Sequence, residues 1–221
     1  MPSVSFAVES AAAVPFAAVP TIGFRLRVAN GVIDQRIDNI ALRCQIMIDA
    51  NHRSYDRAEM ASLRDLFGEP DRWSQTLHPL LWTHVNLSVP SFTGSIVTSL
   101  NVPCTFDFAI GATKYFHAVR DADIQLTFLF SGTSFYSARD GSLHIGQIAW
   151  DQEGRFSLPA NVWHDLMEAY YPNGAWLRLR RDVFEHLNDY KTQRGIGTFE
   201  EAIERLLSSG AAPLTHKGAA L

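Results

Sequence analysis

The sequence has few cysteines, and none of them stands at a metal-binding spacing. Only Cys44 and Cys104 occur in 221 residues, and neither belongs to a CxxC motif. Two isolated thiols cannot build a disulfide framework or a zinc cluster, and such sparse use is typical of a reducing compartment. Both cysteines alternate with apolar residues, so we expect them to be buried, reduced and not bound to metal.

Motifs for catalysis and cofactor binding are also missing. The sequence contains no GxSxG and no HExxH, and none of its 8 histidines stands four residues from another. Its GIG segment, residues 195–197, lies between two predicted helices, where it acts as a connector and not as a phosphate loop. We therefore predict no catalytic residues, no metal site and no cofactor, and we favour a non-enzymatic protein.

An excess of positive charge and a long uninterrupted apolar run are lacking as well. The formal net charge is -4, so the chain has no basic excess of the kind that nucleic-acid binding needs. The apolar stretch 11–19 follows no Lys or Arg, and Glu9, Pro15 and Pro20 interrupt or bound it. We expect neither an export signal nor membrane insertion, and we expect a cytoplasmic protein.

What the sequence does have is apolar residues at every second position. This alternation predicts strands over 22–28, 40–48, 81–89, 96–102 and 124–130, with a weaker strand over 4–8 that suits a sheet edge. The alternation of Cys104 continues to Ile110, which extends the strand pattern past Pro103. Asp140-Gly141 predicts a tight hairpin turn with a return strand over 143–150. We therefore expect an antiparallel β-sandwich of about seven to nine strands.

Helical patterns are confined to one insertion and the C-terminal part. Asp56 and Glu59 form a capping-box pattern that starts a short helix over 57–67. Further helices are predicted to begin at Pro159, near Asp182 and at Thr198. The sequence therefore predicts a mainly β, α+β protein with a single domain over 1–207. In that domain about three helices over 158–207 pack on a sandwich that ends near residue 150, and residues 208–221 form a disordered tail.

The segment LLWTHVNLSVPSFTGS, residues 80–95, poses the main functional question. Alternation places Leu81 and Val85 on one face of the strand, and Trp82 and His84 on the other. The mixed face is either covered by the protein's own helices or exposed as a contact surface.

Several segments resemble a bacterial family of unknown function. They are FRLRV, IALRCQIMIDANHRSY, LRDLFGEPDRW, LLWTHVNLSVPSFTG, VPCTFDFAIGATKYFHAV, LTFLFSGTSFY and AYYPNGAWLRLRRDVFEHL. From Phe6 to Leu207 the chain is similar to domain of unknown function 6084, whose members are often encoded beside actinobacterial-type uptake [NiFe] hydrogenases and their maturation proteins. The resemblance implies this genomic neighbourhood and supplies no mechanism. With the missing catalytic motifs, it leads us to expect an accessory protein whose partner is a hydrogenase subunit or a maturation factor. It supplies no catalytic residues.

Two hypotheses follow for the functional residues. The first is a surface for a protein partner, with aromatic and Arg side chains as anchors. Its candidates are Arg53, Tyr55, Trp82, His84, Tyr171, Trp176 and Arg178. The alternative is an enzyme or a small-ligand-binding protein with its site at the seam between sheet and helices. Its candidates are Trp82, His84 and Tyr115. For catalysis, His84 and Tyr115 could also combine with Asp107.

Overall fold

The structure is a computed structural model that describes residues 2–105, 110–120, 122–138, 140–174 and 177–210. It divides the chain into two compact units, Met1–Gly174 and Ala175–Leu221. The strands are β1 (Val4–Ala13), β2 (Thr21–Asn30), β3 (Arg36–Ile48), β4 (Leu80–Val89), β5 (Phe92–Thr93), β6 (Ser95–Pro103), β7 (Asp123–Ser137), β8 (Leu143–Gln147) and β9 (Glu153–Pro159). The α-helices are α1 (Arg57–Ser62), α2 (Arg64–Phe67), α3 (Trp73–Thr76), α4 (Ile110–Ala118), α5 (Ala160–Tyr170), α6 (Arg181–Gln193) and α7 (Phe199–Gly210).

The strands form two antiparallel sheets in the first unit. The smaller sheet has the order β1-β2-β6, which places β1 at an edge as expected. The larger sheet has the order β4-β3-β7-β8, with β5 also paired to β3 and β9 also paired to β7. The prediction of a mainly β, α+β protein is confirmed. The β region extends to Pro159 and not only to residue 150, because β9 pairs with the first half of β7.

Aromatic and aliphatic side chains of both sheets share one core. The predicted inward faces of β2, β3 and β7 are buried, as the fully buried Phe24, Ile46 and Phe128 show. The rings of Phe24 in the smaller sheet and Phe128 in the larger sheet lie 5.1 Å apart in an edge-to-face contact. Each such side chain contributes about 1.5–3 kcal/mol of burial free energy. Cys44 and Cys104 belong to this core, which confirms their predicted burial.

The described residues contain seven α-helices where the sequence predicted four. The predicted helix over 57–67 is interrupted at Leu63 and forms α1 and α2. The predicted continuation of the strand to Ile110 is wrong at its end, because Ile110 begins α4. The buried residues Ala112, Tyr115, Phe116 and Val119 recur at three- and four-residue intervals, which is the period of a helix.

The prediction that Trp82 and His84 share a face of β4 is also wrong. Ile46 faces Thr83 across the ladder and Met47 faces Leu81, so Trp82 is the extra residue of a β-bulge. A bulge inserts one residue and reverses the alternation beyond it. The bulge turns Trp82 into the core, where its ring lies 4.9 Å from Phe116 of α4 and 6.1 Å from Phe24 of β2. The Trp82 side chain is therefore covered by aromatic residues of α4 and of the smaller sheet.

The helices at the C-terminal end fall into both units. Helix α5 belongs to the first unit and contacts β1, β2 and β9. In the second unit α6 and α7 contact each other, and the rings of Phe184 and Phe199 lie 5.5 Å apart. The Thr198 hydroxyl accepts a hydrogen bond from the Glu201 amide at 3.1 Å, as the capping pattern predicted. Helix α7 continues to Gly210, three residues past its predicted end, and 211–221 lie outside the described residues. The single domain stays a prediction.

Candidate functional site

Three of the predicted site residues come together: Arg53 and Tyr55 lie in the segment between β3 and α1, and Tyr115 lies in α4. The guanidinium of Arg53 lies over the ring of Tyr55, 4.6 Å from its centroid. The hydroxyl of Tyr55 lies 2.8 Å from that of Tyr115, which α4 presents from the opposite side. Phe67 and Trp73 surround this pair with edge-to-face ring contacts, and the Trp73 indole donates to the Gly68 carbonyl at 2.9 Å. These ring contacts pack the segment between β3 and α1 against buried aromatic side chains.

The direction of the tyrosine hydrogen bonds follows from their third partner. The Tyr55 hydroxyl lies 2.5 Å from the Ala50 carbonyl oxygen, which can only accept. Tyr55 therefore donates to Ala50, and Tyr115 donates to Tyr55. Burial raises the pKa of both phenols above the ordinary value, although the nearby Arg53 charge opposes the rise. Both hydroxyls stay protonated at neutral pH, so neither acts as a base.

The Arg53 guanidinium is held by contacts within its own segment, and its Nε donates to the Ser54 carbonyl at 3.2 Å. Its Nη2 donates to both carboxylate oxygens of Glu59, at 2.7 and 2.8 Å. Glu59 also accepts from the Asp56 amide, and Asp56 accepts from the Glu59 amide, which completes the predicted capping box. Nη1 of Arg53 is buried and meets no acceptor at good hydrogen-bond geometry among the described residues, although the guanidinium lies against the Tyr115 hydroxyl, where its charge and polar contact favour the ionised form of that phenol. A buried donor without an acceptor costs about 1–3 kcal/mol.

A surface pocket of about 620 Å³ opens beside this guanidinium. One wall comes from residues 53–62 and the other from the end of α4 and the segment after it. The lining residues are Arg53, Ser54, Tyr55, Asp56, Ala58, Glu59, Ser62, His117, Ala118, Arg120 and Ala122. Pockets that hold small ligands in proteins have volumes of about 300–1,000 Å³, so this one has the size of a ligand site.

The second wall of the pocket contains an imidazole, from His117, and a guanidinium, from Arg120. Burial, then the neighbouring His164 and Arg120, lower the pKa of His117 below its ordinary value. The His117 ring also meets Trp163 edge to face at 4.8 Å. Arg120 is exposed and forms no ion pair with any residue in the described ranges. At neutral pH this wall therefore presents a neutral imidazole and one guanidinium.

The remaining predicted site residues lie elsewhere. Trp82 is only 5% exposed and packs in the core. His84 is exposed on the opposite face of β4, where its ring lies 3.2 Å from the Gln45 side chain. Tyr171 caps the end of α5 and packs against the core, and Arg178 is exposed in the second unit. Trp176 and Asp107 lie outside the described residues.

A second candidate region, which the sequence analysis missed, lies at the edge of the larger sheet. Strand β8 pairs with β7 on one side, and no described strand pairs with its other side. Leu143 and Ile145 in β8 are each 65% exposed, and Trp150, in the turn after β8, is 93% exposed. We name these three residues the β8 edge patch. The sequence carries a signal for this patch, since Leu143 and Ile145 stand two residues apart in the predicted return strand and therefore share one face.

Other kinds of site receive no support within the described part of the chain. No group of three or more His, Cys, Asp or Glu side chains there is arranged to hold a metal ion. Nor does any helix in the described ranges combine the length and apolar character that crossing a membrane requires. Burial raises the pKa of both Cys44 and Cys104 to about 12, so the native thiols are poor nucleophiles.

Solved structures give only distant similarities. A Bordetella pertussis protein assigned as ApaA aligns at 13% identity over 72% of this chain and 94% of its own, with a TM-score of 0.26. A protein assigned to the late embryogenesis abundant class aligns at 14% identity over 72% of this chain and 73% of its own, with a TM-score of 0.31. Similarities at this level carry no argument about fold or function.

The family comparison is more informative than the structural ones. No curated protein matches the chain significantly. The model of DUF6084, a family of unknown function, matches residues 1–214, which is nearly the whole sequence. The match agrees with the resemblance seen in the sequence segments, and the chain belongs to this family.

Proposed function

We propose that the protein is a non-enzymatic accessory protein that binds a protein partner through the edge of its larger sheet. The observation that carries this proposal is the β8 edge patch. Unpaired backbone groups at a sheet edge accept an extended segment of another chain as an additional strand. Exposed apolar side chains in the same strand would supply burial energy for that segment.

The composition of β8 supports this interpretation. Natural edge strands are usually protected by charged residues or proline, and β8 (LHIGQ) contains neither. Burying Leu143 and Ile145 against a partner would contribute roughly 1.5–3 kcal/mol for each side chain. The exposed indole of Trp150 lies in the turn between β8 and β9. It would add an aromatic anchor of the kind that contributes most to the binding energy of protein interfaces.

The partner we propose is a hydrogenase subunit or a hydrogenase maturation factor, met in the cytoplasm. Support for this identity is the resemblance to a family often encoded beside uptake [NiFe] hydrogenases. The two-sheet core, which we interpret as a β-sandwich, would hold the edge rigid, so that binding orders only the partner's segment.

The experiment is a co-purification from the native host with the tagged full chain. Wild-type protein is compared with Ile145→Lys, and with Ile33→Lys as a matched control, because Ile33 is also an exposed isoleucine (85%) but lies outside every strand. We expect a hydrogenase component to be enriched with wild type and Ile33→Lys and lost with Ile145→Lys. Circular dichroism would show that both variants fold. Equal recovery with all three proteins would refute the role of the edge, and absence of any hydrogenase component would refute the proposed partner.

A further inference from the structure

We propose that two copies of the chain pair through their β8 strands when no other partner is bound, and so join their larger sheets into one continuous sheet. This inference concerns the regulation of the same edge, and it rests on the proposed function, since a hydrogenase partner would have to displace the second copy. It follows from the backbone groups that β8 leaves free and from the order of its side chains.

The free backbone groups of β8 belong to alternate residues. Just beyond the end of β8, the Ile148 amide donates to the Gly132 carbonyl of β7 at 3.0 Å. Hydrogen-bonded pairs alternate with non-bonded pairs in an antiparallel ladder, so the even-numbered residues of β8 bond to β7. The odd-numbered residues turn their amides and carbonyls towards the open edge, where no described residue bonds to them. These edge-facing residues are Leu143, Ile145 and Gln147.

A second β8 strand fits this edge in one antiparallel register that uses the whole strand. When Ile145 lies opposite Ile145 of the second copy, Leu143 of each copy lies opposite Gln147 of the other. Every edge-facing residue then meets another edge-facing residue, and the two residues of each pair exchange both of their N–H···O hydrogen bonds. Because the contacts repeat around a twofold axis, the interface closes as a dimer.

The side chains of β8 suit this register on both faces of the strand. Ile145 of each copy is 65% exposed in the single chain, and the two side chains would cover each other at the twofold axis. On the other face the imidazole of His144 would lie opposite Gly146, which has no side chain to obstruct it. A shift by two residues would lose one edge-facing pair and place His144 or Gly146 opposite itself.

The lack of charge in β8 favours an identical copy as the occupant. The strand contains no Asp, Glu, Lys or Arg, so pairing with itself brings no fixed like charges together. An uncharged open edge promotes uncontrolled association unless something covers it, and a closed dimer covers the free side of both β8 strands at once. Because β8 has only 5 residues, the contact is small, and we expect a weak dimer that a partner segment can displace.

The test is sedimentation velocity of the full chain at protein concentrations from about 1 μM to about 1 mM, which covers the weak affinity expected for a small interface. Wild type is compared with Ile145→Lys and Ile145→Glu, each of which places two like charges side by side at the twofold axis. The matched control is Ile33→Lys, which adds the same charge at an exposed isoleucine outside every strand. The decisive sample is an equimolar mixture of Ile145→Lys and Ile145→Glu, in which opposite charges face each other.

We expect wild type and Ile33→Lys to dimerise with the same dissociation constant. Each Ile145 variant alone should associate at least about tenfold more weakly, because it loses apolar burial and gains repulsion. The equimolar mixture should regain association, because the proposed register places the Lys side chain directly beside the Glu side chain. Circular dichroism would show that all the variants fold.

Three results would overturn the inference. Wild type that stays monomeric over the whole concentration range would exclude the dimer, and a dimer that persists in Ile145→Lys would place the interface elsewhere on the chain. A mixture that associates no better than its components would exclude the register. The proposed partner is tested separately by co-purification, so a monomeric wild type that still recovers a hydrogenase component would refute the dimer alone. A dimer that recovers no such component would refute the partner alone.

Discussion

The Tyr115 hydroxyl donates a hydrogen bond to the Tyr55 hydroxyl across 2.8 Å, and this contact joins the segment before α1 to helix α4. The Tyr55 hydroxyl in turn donates a hydrogen bond to the Ala50 carbonyl oxygen at 2.5 Å. Both side chains are buried, and the Tyr115 hydroxyl donates to Tyr55, whereas Tyr55 also has the Ala50 carbonyl as a partner. The contact positions Arg53 because the guanidinium rests on the ring of Tyr55.

This arrangement predicts unequal effects for the two tyrosines. Tyr55→Phe removes the group that joins Ala50 to Tyr115 and leaves both without this partner, so it should lower the free energy of unfolding by about 1–3 kcal/mol. Tyr115→Phe leaves Tyr55 bonded to Ala50 and should cost only about 0.5–1.5 kcal/mol. Urea denaturation measures both, with Tyr136→Phe as the control, because its hydroxyl bonds to no described residue. A larger cost for Tyr115→Phe would reverse the assigned direction.

The capping box at the start of α1 gives a second prediction. The Asp56 carboxylate accepts from the Glu59 amide at 2.8 Å. Asp56→Ala removes this bond and should destabilise the protein by about 1 kcal/mol. Asp56→Asn keeps an acceptor and should cost much less. The control is Asp151→Ala, which changes an exposed aspartate outside the helices. Identical denaturation curves for Asp56→Ala and wild type would show that the cap contributes nothing.

Much of this architecture follows from local sequence signals. Alternation fixes the buried faces of β2 and β3, the Asp56–Glu59 spacing marks the start of α1, and Asp140-Gly141 marks the β7–β8 hairpin. These signals succeed because each acts within a few residues of chain. The residue types of the site were also recognisable, since Arg53 and Tyr55 were chosen as candidate anchors from their chemistry.

The remainder depends on contacts between distant segments. The bulge at Trp82 exists only in relation to the register of β3, so alternation alone placed Trp82 on the wrong face. The alternation that runs up to Ile110 predicted a strand where α4 begins. The helix was therefore not predicted, and neither was the position of Tyr115 within it. The pocket joins residues 53–62 to Arg120, and no local pattern brings those segments together.

The Ser-Gly pair in β7 leads to a third prediction. Gly132 has φ +148°, and its backbone lies close to that of Ala41 across the β3–β7 ladder. A Cβ at this position would overlap the Ala41 oxygen. Backbone strain and overpacking each cost about 1–3 kcal/mol, so Gly132→Ala should destabilise the protein by more than about 2 kcal/mol. Gly197→Ala is the control, since its added Cβ meets nothing within 4 Å. Equal stability of the two variants in urea would contradict the close approach.

From the burial of the two cysteines we predict that the free energy of unfolding falls at alkaline pH. Burial raises the pKa of the Cys44 and Cys104 thiols to about 12, whereas thiols of the unfolded chain ionise near about 8.5. Between these values the native state holds protons that the unfolded state has released, so the free energy of unfolding must fall as pH rises. The limiting slope is about 1.4 kcal/mol per pH unit for each thiol.

Urea denaturation under reducing conditions, at pH values from about 8 to about 9, measures this slope well below the ordinary tyrosine pKa of about 10. The double variant Cys44→Ala/Cys104→Ala should be less stable at pH 8, because it leaves cavities, but its stability should fall less steeply with pH. The raised pKa values of Tyr55 and Tyr115 act in the same direction at higher pH in both proteins, so the difference between the two slopes isolates the thiols. Parallel pH profiles for wild type and double variant would mean that the thiols ionise as readily in the native protein as in the unfolded chain.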